Sequence, residues 1–395
     1  MKHSFTHAIF VLSLWLGLFV SAYAQTLEVS VQPVAVPYLL IIPDSRSGGM
    51  GDVGAAISPD PNTTFYNPSK LAFLKNRIGF GVSYVPWLGN LGAGMGLSYL
   101  SSYYKLNQRQ VVGFAMKYFD QGSIDFTDNQ GRYLGTYRPN EFNIDGTFAM
   151  KLSPYFSIAG TGRFIYSNLT GGFDGEPNFK PGAAAAVDLS VFYTQPTKLA
   201  GQTGIWSWGA NFSNMGSKLV YSNPQEPDYL PTNLRLGTAY THNLDAFSTL
   251  TLALDLNKLF VPAPTDSLGQ WKRKGLFTAI GSSVADESFS EEMKGFNYSL
   301  GAEYWYNNLF ALRAGYFYEH PSEGARTFLS LGAGIRYQQL GVDFSYLLSA
   351  GRANNPLSNT LRFSLIFTFE GRQKNSGASE PVEESPILED GGKTN

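Results

Sequence analysis

The chain contains no cysteine, which excludes disulfides, thiolate metal sites and a lipid anchor built on that residue. Histidine is almost as scarce. Of four, His3 and His7 sit in the first residues, leaving His242 and His320 as imidazoles for acid–base or metal chemistry. Charge is thin and balanced, 29 Lys and Arg against 31 Asp and Glu, so there is no electrostatic footprint for nucleic acid. Beyond the first residues no stretch reaches the roughly 18 apolar residues of a transmembrane helix.

What is abundant is glycine and aromatics: 42 Gly, 23 Tyr and 29 Phe in 395 residues. The N-terminus reads as a signal peptide over residues 1–24. Lys2 and His3 precede an apolar run from Ala8 to Val20, and Ala22-Tyr23-Ala24 forms an A-x-A cleavage site before Gln25. An uncleaved membrane anchor is the alternative, against which the run is short.

Residues 48–54, GGMGDVG, place Gly49, Gly51 and Gly54 in the G-x-G-x-x-G spacing of a dinucleotide-binding turn. That reading requires a strand before, a helix after and a βαβ unit around both. None is present, so no cofactor is expected. From about residue 77 onward the pattern is instead strict period two: Leu361, Phe363, Leu365, Phe367 and Phe369 alternate with smaller or polar residues, as do Leu250, Leu252, Leu254 and Leu256.

About fourteen such runs occur, near 77–87, 90–104, 109–120, 140–152, 155–167, 181–194, 203–214, 233–243, 247–260, 295–306, 308–319, 326–337, 339–349 and 359–369. Most are long enough to cross a bilayer when tilted, whereas soluble sandwiches use shorter strands. Connections alternate between short (Ser153-Pro154, Asn307-Asn308) and long (121–139, 168–180, 215–232, 261–294). Tyr84, Trp87, Tyr103, Tyr104, Tyr166, Tyr240, Tyr304, Tyr306, Tyr316 and Tyr318 fall toward strand ends, as interfacial girdles do. The fold class expected is therefore all-β, a transmembrane antiparallel β-barrel of about fourteen strands. Residues 77–370 form the barrel, with long loops extracellular and both mature termini periplasmic. Residues 25–76 precede it as a plug or cap in the lumen or periplasm, and 371–395, rich in Ser, Pro, Glu and Gly, follow as a disordered tail.

If the apolar parity faces lipid, the lumen receives Lys117, Lys151, Arg163, Arg235, Arg313, Arg336 and Arg362 with Asp145, Asp188, Asp255, Glu303 and Asp343. Mixed signs suit a structural ladder; a conducting path is the other reading. Gly79, Gly81, Ser83, Gly92, Gly94 and Gly96 are expected to form an inward wall against which segment 25–76, including Gly49, Gly51 and Gly54, packs closely.

No catalytic or metal-binding residue is expected. His320, Ser322 and Glu323 are the types an acyl hydrolase uses, but loop neighbours rarely face one another as a triad. The long loops carry Tyr229, Trp271, Leu276, Phe277 and Ile280, candidates for contact with another protein; ordered lids without a partner are the bland alternative.

Three stretches look familiar. FYNPSKLAFL (65–74), with Asn67-Pro68, resembles the N-P motif before the first strand of FadL-like outer-membrane barrels. SRSGGMGDVGAAISPD (45–60) and GAEYWYNNLFALRAGYFYEH (301–320) resemble the PorV (LptO) family of the type IX secretion system, found in Bacteroidetes. The similarity covers essentially the whole mature barrel. It implies a non-enzymatic role: receiving cargo proteins through their C-terminal signal domain as they leave a giant translocon barrel, then passing them to a cell-surface sortase and attachment complex. It implies contact with outer-membrane lipid and lipopolysaccharide, and a link to lipid A deacylation that the shortage of histidine leaves doubtful as a direct activity. A FadL-like channel for hydrophobic small molecules is the alternative. One departure is the tail, which continues well past Phe369.

Overall fold

The computed structural model describes residues 33–87, 94–128, 130–169, 180–199, 202–221, 227–262, 270–285, 289–350 and 360–370. In chain order the strands are β1 (Ile78–Pro86), β2 (Gly96–Lys105), β3 (Gln110–Asp120), β4 (Ile124–Thr127), β5 (Tyr133–Tyr137), β6 (Asn140–Lys151), β7 (Phe156–Asn168), β8 (Gly182–Leu199), β9 (Gln202–Gly216), β10 (Asn233–Asn243), β11 (Ser248–Leu259), β12 (Phe296–Tyr306), β13 (Phe310–Tyr318), β14 (Thr327–Tyr337), β15 (Leu340–Ser349) and β16 (Leu361–Phe369). Fourteen close into one antiparallel barrel, with β1 completing the circle against β16, and β4–β5 form a separate hairpin. Closure removes every sheet edge, which a strand-built membrane protein requires.

Period two now has a physical meaning. Along β6, Asn143, Asp145 and Thr147 are buried while Ile144 and Phe148 are exposed. The outer surface carries Leu100, Phe114, Phe164, Leu252, Leu300, Leu312, Leu331, Phe344 and Leu365 exposed, an inverted polarity that only lipid satisfies. Tyr104, Phe247, Tyr306 and Tyr337 ring the end with the short turns, and Tyr84 and Tyr118 the end with the long loops. No helix among the described residues is long and apolar enough to cross a membrane.

The structure departs from the sequence reading in several places. The second strand begins at Gly96, not near residue 90; Gly92 lies outside the described residues. Gly94 has φ +63° with open space beside it, and the pairing of Pro86 with Gly96 turns Gly96 outward beneath the Tyr84 hydroxyl. Of the expected wall, Gly79, Gly81 and Ser83 face inward, Gly79 against the Tyr103 ring, Gly81 against Asn62 and Ser83 with its hydroxyl 2.7 Å from that of Ser364. Tyr103 itself is buried in the lumen rather than in a girdle, and Trp87 packs on a lumen cluster. Loop 121–139 contains the β4–β5 hairpin, unseen because its strands are four and five residues long.

Candidate functional site: a filled lumen beneath a knitted loop end

Residues 33–76 run through the barrel interior. Near the long-loop end, Pro37–Leu40 forms a helical turn whose Tyr38 and Leu39 join Val36, Val85, Leu97, Phe119, Ile165, Ala184, Ala186, Leu219 and Leu230 in an apolar cluster. At mid-depth, Ser45–Gly48 forms another turn, capped by the Asp44 carboxylate accepting from Ser47 N. Near the short turns, Pro68–Phe73 is a 3₁₀ segment whose Leu71 and Ala72 pack with Leu74, Tyr103, Val111, Ala149 and Ala159. Apolar clusters therefore close both ends.

Between them lies GGMGDVG. Gly51 has φ +68°, and a Cβ there would stand 2.6–2.7 Å from the backbone of Tyr316 and Leu300. A Cβ on Gly54 would overlap the Tyr66 ring, 2.1 Å away. Gly54 N and Ala55 N both donate to Asp255 Oδ2, at 2.8 and 2.9 Å. The amide pair resembles an anion nest, and the anion is a wall carboxylate from β11. A phosphate has no place there. Gly49 lies against Gly332, where a Cβ would be 3.0 Å from that glycine's Cα.

The wall matches with its own glycines. A Cβ on Gly315 would fall 1.9 Å from Gly51 N, on Gly301 2.6 Å from Met50 O, on Gly237 2.7 Å from Ala55 Cβ, and on Gly209 2.3 Å from Ala55 O. The glycine wall exists, on β9, β10, β12, β13 and β14 instead of β2. These glycines lie in five different strands, and inter-strand register is what assembles the set; inward parity was the available signal.

Charge follows the same plan. All twelve lumen residues named above turn inward. Arg46 Nε and Nη2 donate to Glu303 at 2.8 and 2.6 Å, and Nη1 donates to Asp60 at 3.0 Å. Glu303 also accepts from Arg313 Nε (2.8 Å), whose Nη1 reaches Asp343 (2.8 Å), which in turn pairs with Arg336 (2.6 Å). Gly334 of β14 leaves room for that reach across the strand. Arg163 bridges Asp145 and Asp188 at 2.8 and 3.0 Å, Arg235 meets Asp255 at 3.4 Å, and Arg362 holds Asp52 at 3.0 Å. Charges buried against their partners hold geometry; a conducting lining would keep them free for ions. Arg46 and its partner Asp60 were missed at the sequence level because the segment offers no period to place them, whereas Glu303 was placed by parity.

The N-P motif is structural. Asn67 Nδ2 donates to Ala55 O and Val191 O, both at 3.0 Å, while its Oδ1 caps Ser69 N at 3.2 Å and Pro68 opens the 3₁₀ turn. Lys70 Nζ donates to Gly54 O at 2.6 Å, and the Tyr66 hydroxyl donates to the Asp44 carboxylate.

At the long-loop end the loops grip one another. Tyr229 stacks on Trp271 with centroids 6.2 Å apart, and its hydroxyl donates to the carbonyls of Trp271 (2.9 Å) and Lys274 (2.8 Å). Val261, Ala279 and Val34 complete that cluster. Tyr229 and Trp271 are thus buried, 4% and 5% exposed, whereas Phe277 on the helix Leu276–Ala285 is 84% exposed; Leu276 and Ile280 are half-buried beside it. The Ser322 hydroxyl, contrary to expectation, does meet His320, 2.8 Å from Nδ1. Ser322 N donates to the same nitrogen at 3.2 Å, and the Glu323 carboxylate approaches the hydroxyl at 3.4 Å. A hydrolytic triad sets its acid on the imidazole, so this is a capped turn. His242 Nδ1 lies 3.5 Å from the Tyr240 hydroxyl, and among the described residues no group of three or more His, Asp or Glu could hold a metal. An apolar concavity of about 440 Å³ lies on the outer wall, between Phe148, Ile158, Leu189, Phe212 and Leu234, facing lipid.

These features define an outer-membrane β-barrel whose lumen is occupied by its own N-terminal segment. The sequence matches the family model of the type IX secretion system protein PorV over residues 24–266, more than half of the chain, and the chain belongs to that family. Among curated proteins no relative matches. Similar solved structures include the toluene transporter TbuX of Ralstonia pickettii (12% identity, TM-score 0.48, 82% of this chain and 98% of that one). The monoaromatic hydrocarbon channel CymD (13%, 0.45, 83% and 98%) and the toluene transporter TodX of Pseudomonas putida (12%, 0.45, 82% and 96%) are others.

Proposed function

We propose that this barrel is a receptor and shuttle of the type IX secretion system. It takes cargo proteins, recognised by their C-terminal signal domain, from the translocon barrel and delivers them to the surface sortase and attachment complex, which acts beside outer-membrane lipid and lipopolysaccharide. The long loops face outside the cell and the tail after Phe369 faces the periplasm. The observation that carries this reading is the filled lumen: glycine-to-glycine contact and buried ion pairs make residues 33–76 a fixed plug, so the working surface is the loop end. Phe277, Leu276 and Ile280 are the accessible contact candidates there, while Tyr229 and Trp271 act from beneath by fixing the loops. The protein's role is non-catalytic.

A channel for hydrophobic small molecules is the competing reading, and it needs the segment to withdraw. Affinity purification of the barrel from outer membranes followed by mass spectrometry separates the two. Co-purification of proteins bearing the secretion signal is expected; their absence, together with loss of hydrophobic-substrate uptake on deletion, would select the channel.

A further inference from the structure

We infer that the outer wall holds one glycerophospholipid: an acyl chain lies in the apolar groove across β6–β10, and its phosphate sits at Arg109 on the short-turn rim. The groove has a volume of about 440 Å³ and faces the hydrocarbon of the membrane. Its banks are two rows of outward side chains that the barrel's register lays across the strands. Phe148, Gly160, Leu189, Phe212 and Leu234 pair in one row. Ile158, Val191 and Ala210 pair in the next, two residues nearer the short turns. Gly160 lowers the first bank and Ala210 the second. A Cβ added at Gly160 meets nothing within 4 Å, whereas the lumen glycines are filled by the plug.

The dimensions select the occupant. Four strand spacings of about 4.8 Å make the groove roughly 19 Å long, and its volume then leaves a channel roughly 5 Å wide. That is the width of a single hydrocarbon chain touching carbon atoms about 3.5–4.0 Å away. The wall of a second barrel would rest on the banks and leave the floor empty. A polar ligand finds no partner, because Ser190, on a floor strand, turns its hydroxyl inward to accept from Ser69 N at 3.0 Å. The floor is also braced from behind. Val191 O accepts from Asn67 Nδ2 at 3.0 Å, and Ala159 packs with Leu71. The plug thus stiffens the wall beneath the groove, which is formed before any lipid arrives.

Charge decides which leaflet supplies the lipid. At the long-loop end of the groove, Leu234 pairs with Lys258, whose ammonium is already joined to Glu292. At the short-turn end, Met150 lines the groove and pairs with Gln110, and the next residue, Lys151, donates its N–H to Arg109 O at 2.8 Å. Arg109 is exposed in the turn between β2 and β3, and among the described residues no carboxylate pairs with it. Lys151, its ammonium over the Phe73 ring, adds positive charge beside it. Leu152 and Tyr155, both exposed, mark the same rim as the level of the membrane interface. A free guanidinium there matches a phosphate by geometry as well as by charge. The lipid therefore belongs to the leaflet at the short-turn end.

Native mass spectrometry tests the site. The full-length protein and its variants are purified from outer membranes in mild detergent, each barrel is verified as folded by its unboiled gel mobility, and the retained lipid is weighed and identified. The wild type is expected to keep one glycerophospholipid. Gly160→Phe fills open space, so the barrel should fold, and occupancy should fall about tenfold as methylene contacts are lost. Arg109→Gln should lower occupancy severalfold. Leu312→Phe, exposed on β13 and away from the groove, should match the wild type. Full occupancy in G160F, an equal loss in L312F, or a wild-type barrel that keeps no lipid would overturn the groove as a site. Wild-type occupancy in R109Q, or lipid A in place of the glycerophospholipid, would overturn the placement of the phosphate and the leaflet.

Discussion

The two halves of the wall hold the segment by different physics. The arc β12–β16 meets Ser45–Gly51 through glycine contacts, the Arg46–Glu303–Arg313–Asp343 chain and Arg362 on Asp52. The arc β2–β8 meets Pro37–Leu40 and Pro68–Phe73 largely through apolar clusters at the two ends. Directional pairs specify one register, because a shifted segment strands buried charges without partners; apolar packing tolerates small shifts. One arc positions the segment, and the other seals it.

Breaking the positioning arc should have the largest effect. Arg46→Met removes two of the donors holding Glu303 and leaves Asp60 unpaired, at a cost of about 3–5 kcal/mol. Denaturant unfolding should show that loss, and protease should reach the segment. Gly315→Val, which forces a side chain into the Met50–Gly51 backbone, should cost about 3 kcal/mol, the upper range for overpacking, with the same protease sensitivity. On the sealing arc, Leu71→Ala should cost about 2–4 kcal/mol through its cavity, yet leave the segment protected while admitting small solutes. Release of the segment by Leu71→Ala would erase the distinction between the arcs. Least of all, Phe277→Ser should change stability by less than about 0.5 kcal/mol, being exposed, while lowering the yield of co-purified cargo.

The same contrast explains what could be read from the sequence. The barrel was legible because every strand carries its own period, and Asp145, Arg163, Glu303 and Arg313 declared the lumen by parity alone. The plug's docking was not. Gly209, Gly237, Gly301, Gly315 and Gly332 sit in five different strands; parity turns them inward, unlike Gly146 and Gly160, but only register across strands brings them against one segment. The expected inward placement of Gly94 and Gly96 was a false lead because the backbone at Gly94 is left-handed and the strand starts only after it, while Gly92 lies outside the described residues. Tyr229 and Trp271, read as exposed loop aromatics, are buried because two loops distant in sequence pack on each other. Long-range register and loop-on-loop packing leave no short-range signature.

The central claim is that residues 33–76 stay in place while the protein works. Ser45 and Ser364 face each other across the segment–wall contact, their hydroxyls 3.2 Å apart, which makes them the pair at which to place a cross-link. In a chain with no other cysteine, Ser45→Cys with Ser364→Cys can lock the segment to β16. Cargo secretion and cargo co-purification should be the same with the lock oxidised or reduced. Loss of both under oxidising conditions, restored by reductant, would contradict the account.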